Sequence, residues 1–437
     1  MSKPERIAIT GMAINTPLGD TLGGFRDALY AGKSAVTRWK KLDTSRIYAK
    51  VGADLSMYPT GAKVASFEGR IPPDVHRRLR RLVAKAPWST ALSMLLATDG
   101  ALDAGLFGAG IDGAKIAAIV AGHNINFNHQ YENRLRFADE PDFMDPLLAL
   151  TGLDTDHAGS VSEVLDVRGP IYTVGAACAS GNHALRMAVD EIRHHGMSAA
   201  LVVGAVLDFS PVELHAMALM GAITHQSFND EPEKASRPFD TRREGFVPAH
   251  GGAVLVLEEW ESALRRGAEI YAEVMGVECN SDANHLPQPS EEGQSRLMSG
   301  LLARTGIEPG RIDYSPAHAT STPRGDVTEI RSIKRVFGEH AYRLKLNATK
   351  SMLGHTCWAA PVVETVAAVL QMNAGRLHPS INVVDLDPEC DLDICRDRVV
   401  DMPIRYVMKN SFGFGGINAV SILRRPDPSE LGNRRPS

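Results

Sequence analysis

The sequence predicts an α/β protein built as a duplicated body, two halves stacked into five α-β-α-β-α layers. Three observations predict it. Strand and helix patterns alternate along the whole chain, which is the signature of layered α/β architecture. The order of elements in the first half recurs in the second. Branched apolar runs such as AALVV and AVLVLE suit strands covered on both faces.

In the first half RIAITGMAI leads off, and IAAIVAGHN, from Ile116, reads as a strand ending in polar residues. YTVGAACASG is a strand running into a helix over His183 to Ile192, and AALVVGAVLDF, from Ala199, is a further buried strand. In the second half IYAEVMGVE leads off, RIDYSPAHATST, from Arg311, ends in polar residues, and LKLNATKSMLGH runs into a helix. RYVMKNSFGFGG, from Arg405, closes the set. The break falls around Glu258 to Ala268, where LEEWESALRRGA reads as an amphipathic connecting helix. The halves are therefore 1–260 and 261–425. Arg134 to Asp166, acidic and broken by Pro141 and Pro146, reads as a loose insertion. The tail 426–437 is expected to be disordered.

Composition narrows the function classes. With 44% apolar and 23% charged residues, the 437-residue chain has ample material for a core. A net charge of -5 argues against nucleic acid as the main partner. Arg77, Arg78, Arg80 and Arg81 form a local basic cluster, read either as a solvated helix face or as a dock for an acidic partner. The N-terminal apolar run soon meets Pro17 and Gly19, unlike a secretory leader, and no long apolar span follows. A soluble cytoplasmic protein without membrane partners is expected. Cys178, Cys279, Cys357, Cys390 and Cys395 are scattered without metal-ligand or disulfide-framework spacing, so no metal is expected.

Cys178 lies among small residues at a tight strand-to-helix turn. There the helix dipole and free N–H groups should lower the thiol pKa and make it a nucleophile, although a Cys in small apolar surroundings is commonly inert core. His318 and His355 each follow a strand and precede a helical stretch. If the halves pack by pseudo-symmetry, both reach the same layer edge as Cys178.

Five ordered motifs, ACASG around Cys178, SRPFDTRREGFV from Ser236, HATSTPRGD from His318, TKSMLGH from Thr349 and NSFGFGGIN from Asn410, resemble the β-ketoacyl-acyl-carrier-protein synthases of the thiolase superfamily, elongating type. The resemblance spans about residues 5 to 424. It implies that Cys178 accepts an acyl chain as a thioester, its N–H and that of Phe414 forming the oxyanion hole. His318 and His355 would donate hydrogen bonds from Nε2 to the malonyl thioester and stabilise the enolate left by decarboxylation. Lys350 would pair with Glu364 and orient the histidine loop, Thr320 and Thr322 would bind the phosphopantetheine arm, and Phe414 would gate the acyl pocket. The resemblance implies no cofactor of the enzyme's own, an acyl carrier protein as partner and a homodimer.

Three departures from the family pattern stand out. Ala319 replaces a glycine, tolerable unless φ is positive there. Trp358-Ala359-Ala360-Pro361 replaces a run of small residues, placing Trp358 close to the substrate, while Pro361 suits a first helical turn. Ala249-His250-Gly251 stands where GDG is usual. The CWAAPVVETVAAVLQM and AGHNINFNHQYEN segments and the acidic insertion are similar to the free-standing ketosynthase-like decarboxylases of polyketide β-branching cassettes. That subgroup typically carries serine at the nucleophile, whereas this chain keeps Cys178. The leading expectation is decarboxylative Claisen condensation with malonyl-carrier in polyketide or fatty-acid biosynthesis. The alternatives are a malonyl-carrier decarboxylase, a thiolase using Cys357 as its second cysteine, and a non-catalytic chain-length partner in a heterodimer.

Overall fold

The computed structural model describes residues 5–431. Ten strands build the main sheet: β1 (Ile7–Asn15), β2 (Ile116–Ala121), β3 (Ile171–Val174), β4 (Ala199–Gly204), β5 (Gly252–Glu259), β6 (Ala272–Ser281), β7 (Tyr314–Pro316), β8 (Lys345–Asn347), β9 (Tyr406–Gly413) and β10 (Ile417–Arg424). Their order is β8-β7-β9-β10-β6-β1-β5-β4-β2-β3. From β1 outward the pairings run antiparallel, antiparallel, parallel, parallel through β5, β4, β2 and β3. From β6 outward the same sequence recurs through β10, β9, β7 and β8. The two five-stranded halves meet where β1 and β6 pair over Ile7 to Ile9.

Six helices matter for the site: α1 (Trp88–Asp103), α2 (Thr155–Leu165), α3 (Ser180–His195), α4 (Glu291–Thr305), α5 (Pro323–Phe337) and α6 (Ala360–Ala374). Strand alternation sorts them into layers. On β2, Ile116, Ala118 and Val120 join the apolar cluster under α1 and α2, while Ala117, Ile119 and Ala121 face the cluster holding α3 and α6. In the second half Val407 and Leu423 face α3 and α6 as well, whereas Met408, Val420 and Ile422 face α4 and α5. Five layers result, with α3 and α6 in the middle. Burial is nearly complete along α6, whose Val362, Val363, Val366 and Val369 contribute about 1.5–3 kcal/mol each when withdrawn from water. A Cβ on Gly181 would lie 2.8 Å from Val362 and 2.9 Å from Pro361, so the two central helices cross with no room for a side chain.

Three expectations change. Strand β10 is absent from the sequence expectation, which closes at Gly416. The segment 134–166 is largely helical, continuing a helix Phe127–Asp139 and ending in α2. Its turns are tied by side chains, Asn133 Oδ1 accepting from Asp145 N and the Asp154 carboxylate from Asn124 and Ile125 N–H. Residues 428–431 of the tail form a 3-10 turn, because the Glu430 carboxylate accepts from Arg424 and Arg6 at 2.9 and 3.1 Å. Residues 432–437 lie outside the described residues. No helix is long and apolar enough to cross a membrane among the described residues.

Candidate active site

The C-terminal ends of β3, β7 and β8 and the β9–β10 turn converge on one edge of the molecule. After β3 the chain makes a turn over Ala177–Ala179 and enters α3. Ala177 takes φ 45°, in the left-handed region that side chains disfavour. Ser180 holds that conformation, its hydroxyl accepting from Ala176 N and donating to Ala177 O at 2.8 and 2.7 Å. The positive φ recurs before α6, where Cys357 takes φ 49°, but Ala360 stands in the place of the serine. Trp358 thus occupies in the second half the place that Cys178 occupies in the first.

Cys178 is 5% exposed and lines a cavity of about 450 Å³. Its sulfur accepts from its own backbone N–H and from that of Phe414. Gly413 makes this approach possible, since a Cβ there would sit 2.9 Å from Ala176 O. The expected lowering of the thiol pKa is not found. Burial pushes it up to about 12, outweighing the positive charge of Lys350 and the two N–H donors.

The same cavity is lined by His318, His355, Thr320, Thr322 and Phe414. His318 is held front and back: its N–H and that of Ala319 each donate to Glu329 of α5 at 2.8 Å, and Lys350 Nζ donates to His318 O at 2.6 Å. Ala319 is not among the residues with positive φ, so a glycine is not needed there. His355 Nδ1 accepts from Cys357 N at 3.2 Å. In the neutral ring this places the proton on Nε2. That nitrogen is buried without a hydrogen-bond partner. The two rings meet edge to face, centroids 5.6 Å apart. Burial holds both histidines well below the usual imidazole range, and the charges of Lys350 and Lys409 add to it.

Thr320 and Thr322 hydroxyls lie 3.0 Å apart on the cavity wall. Lys350 forms a buried ion pair with Glu364 of α6. Trp358 is not part of the wall. Its indole packs behind it, in the same apolar cluster as Cys178, and stacks on His123 with centroids 4.3 Å apart. His250 likewise stands outside, its Nδ1 accepting from Leu55 N at 3.0 Å and lying beside Asp54. All five cysteines are free thiols, and Cys357 is buried. Two charged residues of the site have no counterpart in the sequence expectation. Glu329 could have been found from the helical period of PRGDVTEI, which turns it inward. Lys409, fully buried on β9, gives only the signal of a lysine inside an apolar strand.

This thiol, donor pair and histidine pair on one cavity accompany a match, over residues 4–263 and 271–384, to the models of the beta-ketoacyl synthase N-terminal and C-terminal domains. The chain belongs to the beta-ketoacyl synthase family. It is 35% identical over 423 residues to a 3-oxoacyl-[acyl-carrier-protein] synthase 2 of Coxiella burnetii, covering 96% of this chain and 99% of that one. It is 30% identical over 421 residues to the polyketide biosynthesis malonyl-ACP decarboxylase PksF of Bacillus subtilis, covering 96% of each. Among solved structures it superposes, with a TM-score of 0.84 and 27% identity over 97% of this chain and 100% of the other, on a type II PKS acyl-carrier protein in complex with its ketosynthase. This beta-ketoacyl synthase carries two buried lysines, Lys350 and Lys409, and a Trp358–His123 stack in the apolar surroundings of Cys178.

Proposed function

We propose that this beta-ketoacyl synthase condenses an acyl group held on Cys178 with malonyl-acyl carrier protein, releasing carbon dioxide. The observation that carries the reading is the convergence of a thiol bearing two N–H donors with an unpartnered His355 Nε2–H on one cavity. The Cys178 thiol attacks the thioester carbonyl of an acyl-carrier. The N–H groups of Cys178 and Phe414 receive the oxyanion, and the carrier thiol departs with the proton that Cys178 gives up. Burial raises the thiol to about 12, so Cys178 rests protonated and gives up its proton in the attack. Malonyl-carrier then enters past Thr320, Thr322 and Phe414, its arm hydrogen-bonding the two hydroxyls. His318 and His355 donate to its thioester oxygen, the carboxylate leaves as carbon dioxide, and the enolate carbon attacks acyl-Cys178 to give a β-ketoacyl product. Lys350 and Glu364 keep the histidine loop in place. The chain needs no cofactor of its own in this scheme.

An acyl carrier protein, acidic as carriers are, would dock on the helix Pro73–Val83, where exposed Arg77 and Arg80 line a surface cavity of about 630 Å³. A second copy of the chain would pair along β3, one of the two edge strands of the main sheet, whose Ile171 is exposed. Five free thiols suit the reducing cytoplasm. A second reading, malonyl-carrier decarboxylation alone, is favoured by the similarity to PksF and by the raised thiol pKa.

Intact mass spectrometry with acyl- and malonyl-carrier separates the two. Wild type should carry an acyl mass that Cys178→Ala abolishes, and should release β-ketoacyl-carrier. If wild type yields only acetyl-carrier, and Cys178→Ala does so equally fast, condensation is refuted.

A further inference from the structure

Lys409 lies in the middle of β9 and is completely buried. Its neighbours Val407 and Met408 face apolar clusters, so nothing in the strand pattern calls for an ammonium there. Its Nζ lies 2.8 Å from Glu364 Oε2 and 3.3 Å from Ser411 Oγ, and also donates to Asn410 O. Lys350 takes the other oxygen of the same carboxylate. One glutamate on α6 is therefore shared between two ammonium groups, one of which also grips the His318 carbonyl. Burying a second lysine costs desolvation, and an apolar side chain would fill the space more cheaply.

Four formal charges lie close around the histidines. Lys350, Lys409, Glu364 and Glu329 are all buried and carry two positive and two negative charges. The other titratable groups packed against them are Cys178, Cys357 and Tyr314, which burial keeps protonated, His378, which burial holds down at about 4, and Asp326, raised to about 6 by burial and paired with Arg243. Asn182 of α3, Asn410 and Ser411 complete the polar surroundings without charge. With Arg243 set against Asp326, these four charges balance only if both imidazoles are neutral. Without the Lys409 ammonium, one negative charge would remain uncompensated beside the ring pair, and a proton on an imidazole would be the nearest way to balance it.

We propose that Lys409 is a positioning residue for the reaction: together with Lys350 it divides the Glu364 carboxylate and so holds His318 and His355 as neutral hydrogen-bond donors toward the malonyl thioester. The inference rests on the functional reading above for its consequence, and on the buried geometry for its cause. It agrees in sign with the electrostatics, because Lys409 pushes both histidines toward the neutral form.

The test uses the full-length enzyme with Lys409→Met, Lys409→Arg and the double variant Lys409→Met/Glu364→Gln. The first readout is the pH profile of carbon dioxide release from malonyl-carrier. The second is the titration of the imidazoles in histidine-labelled protein, followed by NMR. Lys409→Met should move the acid limb and the imidazole titration up by about one pH unit or more. Lys409→Arg should keep the wild-type profile. The double variant, which removes one charge of each sign, should return both readouts toward wild type. A folded Lys409→Met protein with unmoved imidazole titration overturns the proposal, as does a double variant shifted as far as the single one. If Lys409→Met does not fold, an upward shift in the double variant is the overturning result. Should wild type release no carbon dioxide, the functional reading falls while the imidazole titration still decides the role of Lys409.

Discussion

Replacing His355 by alanine removes a ring N–H that the cavity wall holds buried and unpaired. In water such a donor is worth little, because solvent replaces it. Here it sits in a cavity wall with its tautomer fixed by Cys357 N–H, so no reorganisation is needed when charge develops on the thioester oxygen. Loss of one such preorganised donor costs about 2.7–4 kcal/mol of transition-state stabilisation, roughly 10²–10³ in rate. The fold would lose less, because the orphaned Cys357 N–H costs about 1–3 kcal/mol. The assay is single-turnover release of carbon dioxide from labelled malonyl-carrier, with thermal unfolding measured in parallel. A folded His355→Ala protein that loses less than about tenfold would refute the assignment of Nε2 as a donor to the reacting oxygen.

Further predictions concern the thiol and the central helices. With its pKa raised to about 12, Cys178 in the resting enzyme should alkylate with a rate that climbs about tenfold per pH unit from about pH 7 to about 10. A plateau below pH 8, read by peptide mapping, would show instead a thiol already ionised. Gly181→Val should wedge α3 away from α6, lowering stability by about 1–3 kcal/mol or more and the condensation rate with it. An unchanged melting temperature would contradict the tight crossing.

Much of the site was legible because its residues stand at strand ends, where pattern and motif coincide. Cys178, His318, His355, Thr320, Thr322 and Phe414 do line one cavity, and Lys350 does meet Glu364. What escaped depends on distances that no local pattern encodes. Lys409 and Glu364 are brought together only by packing α6 against β9, so a lysine in YVMKNSF reads as a strand irregularity. The thiol pKa was misjudged because the helix-terminus argument is local, while desolvation depends on everything packed around the sulfur. The expectation put Trp358 close to the substrate; its indole stacks on His123, which follows β2 and is remote in sequence. The segment 134–166 reads as loose because its order comes from Asn133 and Asp154 bonding backbone across turns.

The crossing of α3 and α6 at Gly181 and Pro361 has a consequence for how this enzyme can be divided. In the proposed reaction the first half supplies Cys178 and the second supplies His318 and His355, and each central helix begins with a 3-10 turn at its own N-terminus. The α3–α6 contact in the molecular interior therefore lies between the turns that carry Cys178 and follow His355, while His318 is fixed separately by Glu329 of α5 and by Lys350. Neither half is a smaller version of the enzyme. The cavity is complete only when the two halves are joined, because its lining comes from both.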